Sequence, residues 1–332
     1  MQTSVIGFPR IGTLRELKFA CEKYFRKEIN TQELLDTAEN LRKIHWTTQK
    51  SAGIDYIPSN DFSFYDIFLD TAALFNIIPK RYKELQLPEL DTYFAMARGY
   101  QAESGDVKAL AMKKWFNTNY HYIVAEVDDD TNLQLVGEKP WKEYTEAKAL
   151  GIVTKPIIIG PYTLLKHCRY TGGKKLTDFV DAAIKAYQDF IKKCEEFEIA
   201  WVQFDEPGLV QDMTADDIAL FHKLYDAILP CAKTSKILLQ TYFGDVRDIY
   251  ADLIQMDFAG IGLDLSKESR QFLSLKLTVF QKKSSCLQDS LTEKISGKTT
   301  TIKHSKPLPA YRRKAFPLYY QPHVLCFMFH IL

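Results

Sequence analysis

The sequence predicts an α/β fold of the incomplete TIM (β/α)8 barrel type, a parallel sheet whose short strands alternate with covering helices. Three observations lead there. Short apolar runs such as Pro156–Ile159 and Ile199–Phe204 are separated by segments of helical period. Several apolar runs end on a polar or charged residue, Asp205, Thr241 and Asp264, and that end of a barrel strand is where ligands gather. At 332 residues, 46% of them apolar, the chain is long enough for one large α/β barrel with a real core. A doubly wound open sheet is the alternative. No G-x-G-x-x-G follows an early strand, which weakens its nucleotide-binding version.

Two helices come first in chain order. One is expected from about Thr13 to Lys27. The next starts at Thr31, with Leu34, Leu35, Ala38, Leu41 and Ile44 facing inward. Further on, Pro156–Ile159 runs into Gly160-Pro161. Thr177 is placed to cap a helix whose apolar positions, Val180, Ile184, Tyr187, Ile191 and Cys194, recur in steps of four and three. The strand Ile199–Phe204 follows and ends at Asp205. Thr214 and Asp217 make a capping-box-like start for a helix with Ile218, Phe221, Leu224, Tyr225 and Ile228 on one face. Strands Lys236–Thr241 and Gly260–Asp264 come last. No internal repeat occurs at solenoid spacing.

After Leu265 the pattern changes. Residues 266–332 hold nine Lys and three Arg against three acidic residues, a net charge of +9. The residues before them hold 31 basic and 39 acidic side chains, a net of −8. Pro307, Pro309, Pro317 and Pro322 interrupt the segment, and Val324–Leu332 is apolar and aromatic. Two regions are therefore expected: a barrel-like region, 1–265, and an aberrant basic tail, 266–332, poorly ordered or frame-shifted. A deliberate basic extension is the alternative. With no last two βα units in view, the strand at Gly260 is expected to have an unpaired edge.

Overall charge is +1, which gives no reason to expect nucleic-acid or membrane binding. No apolar run reaches eighteen residues, and the start of the chain lacks a basic segment followed by a long apolar one. The six cysteines, at 21, 168, 194, 231, 286 and 326, form no C-x-x-C pair. They suggest buried free thiols in a reducing cytoplasm. His167-Cys168 is the one adjacent His/Cys pair, and neighbours in sequence point different ways, which argues against a metal site there.

Three motifs carry candidate chemistry. In Gly7-Phe8-Pro9-Arg10-Ile11-Gly12 followed by Arg15-Glu16-Leu17-Lys18, a tight turn leads into a helix. Arg15 and Lys18, three apart, would share the face of its first turn. Cations there oppose the helix dipole, and an anion held between them and free backbone N–H groups would account for them. A solvated basic face is the simpler account and wins on spacing alone. Lys113 to Tyr122 combines a basic pair, aromatics and amides. It suits either a flat heteroaromatic ligand bearing carboxylates or a buried aromatic strand. Asp205-Glu206-Pro207 at a strand end offers paired carboxylates for acid–base work, an amine or a metal, or simply for hydrogen bonds to loop amides.

Taken together, Gly-Phe-Pro-Arg-Ile-Gly, Arg-Glu-Leu-Lys, Lys-Trp-Phe-Asn-Thr-Asn-Tyr-His-Tyr and Trp-Val-Gln-Phe-Asp-Glu-Pro resemble the amino-terminal domain of the cobalamin-independent methionine synthase family. The resemblance runs from Val5 to about Asp264. It implies two face-to-face TIM barrels in the family, an S-methyltransferase reaction from 5-methyltetrahydropteroyl-polyglutamate to homocysteine, zinc as the family's metal, and no cobalamin. It further implies that Arg15, Glu16, Leu17, Lys18 and Lys114 contact the polyglutamyl folate. Asp205 and Glu206 would be the relic of a duplicated site. The zinc ligands and catalytic residues would lie in a second barrel that this chain does not match, so no catalytic or metal-binding residue is expected here. The resemblance thus implies a truncated, inactive methyltransferase. The alternatives are a non-catalytic folate-binding module, with a separately encoded catalytic barrel as partner, and an inactive gene fragment.

Overall fold

The computed structural model describes residues 3–102 and 105–264, together with the backbone of residues 329–330. Its centre is a six-stranded sheet in the order β1 (Ile57–Ser59), β2 (Thr154–Ile159), β3 (Trp201–Asp205), β4 (Lys236–Gln240), β5 (Gly260–Gly262) and β6 (Phe329–His330). Strands β1 to β5 pair in parallel. Parallel strands need helical crossovers, so helices alternate with them. At the outer edge of β1 a parallel bridge joins Ser4 to Tyr56, with Val5 N donating to Tyr56 O at 3.3 Å. The expected α/β fold with a parallel sheet is present. The sheet does not close into a barrel among the described residues.

The unpaired edge expected beyond Gly260 is a correction. β6 runs antiparallel to β5, with Gly260 opposite His330 and Ile261 opposite Phe329. An open row of backbone donors and acceptors is satisfied by any extended segment that reaches it, and a two-residue strand is too short to leave a periodic signal in the sequence. Apart from that strand, the tail expected over 266–332 lies outside the described residues.

Seven helices frame the site: α1 (Glu16–Phe25), α2 (Thr31–Ser51), α3 (Ile67–Leu74), α4 (Lys139–Ala149), α5 (Pro161–His167), α6 (Val180–Glu196) and α7 (Ala215–Ile228). The start of α7 is as expected: Thr214 Oγ1 accepts from Asp217 N at 3.2 Å and Asp217 Oδ2 accepts from Thr214 N at 3.1 Å. The start of α6 is not. A single 3-10 turn, Leu176–Phe179, precedes it, and Asp178 rather than Thr177 ties the entry down by accepting from Lys175 N at 2.7 Å. In α2 the buried face is Leu34, Ala38, Leu41, His45, Trp46 and Gln49, while Leu35 and Ile44 are 40% and 57% exposed. Each is one position off that four-three-four rhythm, about 100° round the helix, which turns it off the packed stripe.

The two faces of the sheet differ in chemistry. Phe204 of β3 packs on Tyr187 and Phe190 of α6 and Tyr225 of α7, with ring centroids 5.6, 6.2 and 6.3 Å away. Alternation then sends Lys155, Gln203, Asp205 and Gln240 to the opposite face, where Gln203 lies level with Ile157 and Asp205 with Gln240. That face is buried and polar: Lys155 is 2% exposed. Its ammonium donates to Val5 O at 2.9 Å and to Gln203 Oε1. Gln203 Nε2 donates to Ile6 O at 3.2 Å. These side chains thus reach from the sheet to the amino-terminal segment that carries the first motif.

Candidate functional site

The first motif hangs on the loop after β1. Asp61 Oδ2 accepts from Phe8 N at 2.7 Å, and Arg10 donates to Ser63 O and Phe64 O at 3.0 and 3.1 Å. Burial pushes the Asp61 carboxyl up to about 6, with the Phe8 amide pulling the other way. Behind that loop, Lys139 donates to Asn60 Oδ1 at 2.8 Å and pairs with Asp70 at 3.1 Å and Glu143 at 3.3 Å. Burial opposes its charge, but Glu143 and Asp70 outweigh it and hold the ammonium above its usual range.

The chain then turns sharply, and α1 begins at Glu16, not at Thr13. Arg15 is the residue before the helix, in the left-handed conformation with φ 63°. It therefore does not share a face of the first turn with Lys18, as its spacing implied. Part of the turn's backbone is already engaged. Leu17 N donates to Ile11 O at 3.2 Å, and the Glu16 carboxylate turns back to accept from Leu14 N at 3.0 Å. Glu16 itself supplies the acidic group that complements the helix dipole. Leu17 is buried against Ala38, Leu41 and Phe62, so its side chain anchors the helix. Arg15 and Lys18 remain exposed, and Lys18 is 3.7 Å from Glu22 one turn on.

The second motif is a hairpin. Met112–Lys114 pairs antiparallel with His121–Ile123, so Lys114 faces His121 across the ladder. Trp115 and Tyr122 are buried, with Phe68 of α3 at 5.9 and 5.0 Å and His167 of α5 at 5.7 and 6.1 Å. Asp66, which caps α3 by accepting from Leu69 N at 2.8 Å, also accepts from Ile123 N at 3.0 Å and so ties the hairpin to that helix. Burial pushes this carboxyl up to about 7. Trp115 and Tyr122 belong to the core, whereas Tyr120, Lys113 and Lys114 are exposed. No hydrogen bond or ion pair joins Lys114 to Arg15 or Lys18 among the described residues.

The third motif divides its two carboxylates between different tasks. Glu206 points into the helix layer, where Oε1 accepts from Tyr162 N at 3.0 Å and Tyr225 OH at 2.6 Å, and Oε2 accepts from Thr163 N at 2.7 Å. It caps α5 and is fully enclosed. Asp205 lies on the opposite face, accepting from Gln203 Nε2 at 2.7 Å and Tyr242 OH at 3.2 Å. Burial pushes both carboxyls up to about 7 against these hydrogen bonds. Lys155, Gln203 and Tyr242 did not figure among the candidate residues. A lysine within the apolar run of β2 was the available signal, since a lysine inside a strand is buried only with partners.

A zinc centre needs three or four converging His, Cys, Asp or Glu donors. No such group of three or more occurs among the described residues, so these residues do not fit one. Burial pushes the Cys21 thiol up to about 11, and those of Cys168 and Cys194 higher still. His167 Nδ1 lies 3.0 Å from Thr163 O, and burial lowers the pKa of the ring. A cleft of about 1020 Å³ bordered by Tyr24, Asp91 and Arg98 includes none of the predicted site residues.

Comparison with known proteins places this arrangement. Residues 2–287 match the model of the cobalamin-independent synthase N-terminal domain, a span that passes the change of composition at Leu265. A 5-methyltetrahydropteroyltriglutamate–homocysteine methyltransferase of Streptococcus thermophilus is 55% identical over 264 residues, covering 80% of this chain and 35% of that protein. The enzyme of the same name from Streptococcus suis is 52% identical over 280 residues, covering 84% and 37%. The chain thus spans little more than a third of the length of these relatives. A crystal structure of a Listeria monocytogenes protein described as a vitamin-B12 independent methionine synthase superposes with a TM-score of 0.50 at 15% identity, covering 78% of this chain and 70% of that one, which bears on the fold alone. The chain belongs to the cobalamin-independent methionine synthase family and carries its N-terminal domain.

Proposed function

We propose that the chain is the folate-holding half of a methyltransferase that moves the methyl group of 5-methyltetrahydropteroyl-polyglutamate to homocysteine. Both substrates appear in the names of its relatives. The observation that carries the proposal is the exposure of Arg15, Lys18 and Lys114 on rigid supports: a buried Leu17 beneath the first two and a hydrogen-bonded hairpin beneath the third. A triglutamyl tail presents several carboxylates and calls for fixed cations. Glu16 and Leu17 contribute by shaping the turn. Asp205 and Glu206 are not part of the acid–base chemistry.

The parallel sheet is read as most of a (β/α)8 barrel, supported by the buried polar face on which Lys155 and Gln203 reach the amino-terminal segment. Zinc and the groups that activate homocysteine belong to the remainder of the full-length enzymes. The chain alone is a binding unit that needs a catalytic half, and it works in the cytoplasm.

The test is calorimetric titration with mono- and triglutamyl 5-methyltetrahydrofolate at two salt concentrations. Triglutamate is expected to bind more tightly, with the advantage shrinking as salt rises. Lys114→Ala should remove about 1 kcal/mol or less of that advantage, the worth of one solvated ion pair. Equal affinity for both ligands, with no effect of salt, would end the proposal.

A further inference from the structure

A chain of contacts joins the third motif to the second at the carboxyl ends of β3 and β4. Tyr242, two residues after β4, donates its hydroxyl to Asp205 Oδ2 at 3.2 Å. Gln203 Nε2 fixes the other Asp205 oxygen at 2.7 Å. Trp115 is buried and directly follows Lys114.

The next residues of both loops reinforce the junction. The rings of Phe116 and Phe243 lie 5.8 Å apart, and Phe116 sits 4.9 Å from His167. Both phenylalanines have positive φ, 52° and 79°, a backbone state that bulky residues keep only where the surroundings hold them. Phe243 N donates to Asp264 Oδ2 at 3.0 Å, and Trp115 N donates to Tyr120 O at 2.7 Å. Two loops far apart in sequence are thereby locked together over the buried polar face of the sheet.

We infer that Asp205, acting through Tyr242 and the Phe243–Phe116 ring contact beside it, is a positioning residue for the Lys114 hairpin and sets the place from which Lys114 meets the glutamyl tail. This rests on the proposed role of Lys114. Asp205 touches no substrate. It removes freedom from the base of a lysine that would otherwise lose that freedom on binding.

The experiment titrates the full chain, its Lys114→Ala, Tyr242→Phe and Asp205→Asn variants, and the Tyr242→Phe/Lys114→Ala double variant, with mono- and triglutamyl 5-methyltetrahydrofolate. Amide hydrogen exchange over 112–123 is followed without ligand. Loosening the base of Lys114 should weaken triglutamate binding by about 2- to 5-fold in Tyr242→Phe, no more than Lys114→Ala itself does. Monoglutamate binding should stay within about twofold, because the lost term belongs to the tail. In the Lys114→Ala background Tyr242→Phe should add nothing, which a merely structural loss would not produce. Exchange in the hairpin should accelerate. Asp205→Asn should show the same pattern more weakly, and it decides the matter should Tyr242→Phe not fold. If Lys114→Ala weakens binding while Tyr242→Phe and Asp205→Asn do not, or if the effects add, the positioning role is wrong. If Lys114→Ala is silent, the tail-binding role of Lys114 falls, and this inference falls with it.

Discussion

Replacing Glu206 by Ala tests whether the second carboxylate of the Asp-Glu-Pro motif is architecture or chemistry. The side chain accepts from three donors: Tyr162 N at 3.0 Å, Thr163 N at 2.7 Å and Tyr225 OH at 2.6 Å. Two are first-turn amides of α5, which has no cap from its own N-cap residue, Gly160. Each buried donor left without an acceptor costs about 1–3 kcal/mol, and loss of a helix cap about 1 kcal/mol. Because the three donors share one site the terms do not simply add. A loss of about 3–5 kcal/mol is expected, at the large end for a point substitution. For a domain of this size that lowers the melting temperature by roughly 10 °C. Urea unfolding followed by circular dichroism reads the change as a shifted midpoint at constant slope. A change below about 0.5 kcal/mol, the scale of an ordinary surface substitution, would show that the cap does not hold α5.

The same residue gives a pH signature. Burial raises its folded pKa to about 7, so the folded state binds the proton more tightly than the unfolded chain. Stability from this group is therefore full below the unfolded carboxyl value near ~4 and is lost as pH climbs through about 7, by up to roughly 1.4 kcal/mol per pH unit. Glu206→Gln should flatten that slope between pH 5 and 7, and parallel stability curves for the two proteins would contradict it. Gly160→Ala should also destabilise, because a β-carbon there would lie 2.2 Å from Glu206 Oε1; a cost of about 2 kcal/mol or more is expected, much of it absent in a Glu206→Ala background, and full additivity would separate the two sites. Finally, the chain with added zinc, homocysteine and triglutamyl methyl-folate should form no methionine above background, because no three metal-ligating side chains converge among the described residues. Turnover near that of a full-length relative would overturn the proposed division of labour.

Much of this protein was legible in the residues themselves. Each strand of β2 to β5 lies within two residues of its expected bounds, and the Thr214–Asp217 cap is where the spacing put it. Both follow from short-range physics, an apolar run flanked by turns and a side chain three residues from an amide. Burial of Leu17 and exposure of Lys18 follow from their positions round one helix. Long-range contacts were beyond such reasoning. Nothing in the spacing of Asp205 and Glu206 says that one caps a helix more than forty residues earlier while the other meets Tyr242. Nothing local says that Arg15 takes a left-handed conformation outside the helix, a state settled by the packing of Leu17 and the pull of Ile11 O on its amide. The sequence by itself determined the class of fold and the family, because periodicity and motif are properties of neighbouring residues. Only the tertiary structure decided which charges are exposed and which are buried partners, because the cost of burying a charge is set by groups that the chain brings together from far away.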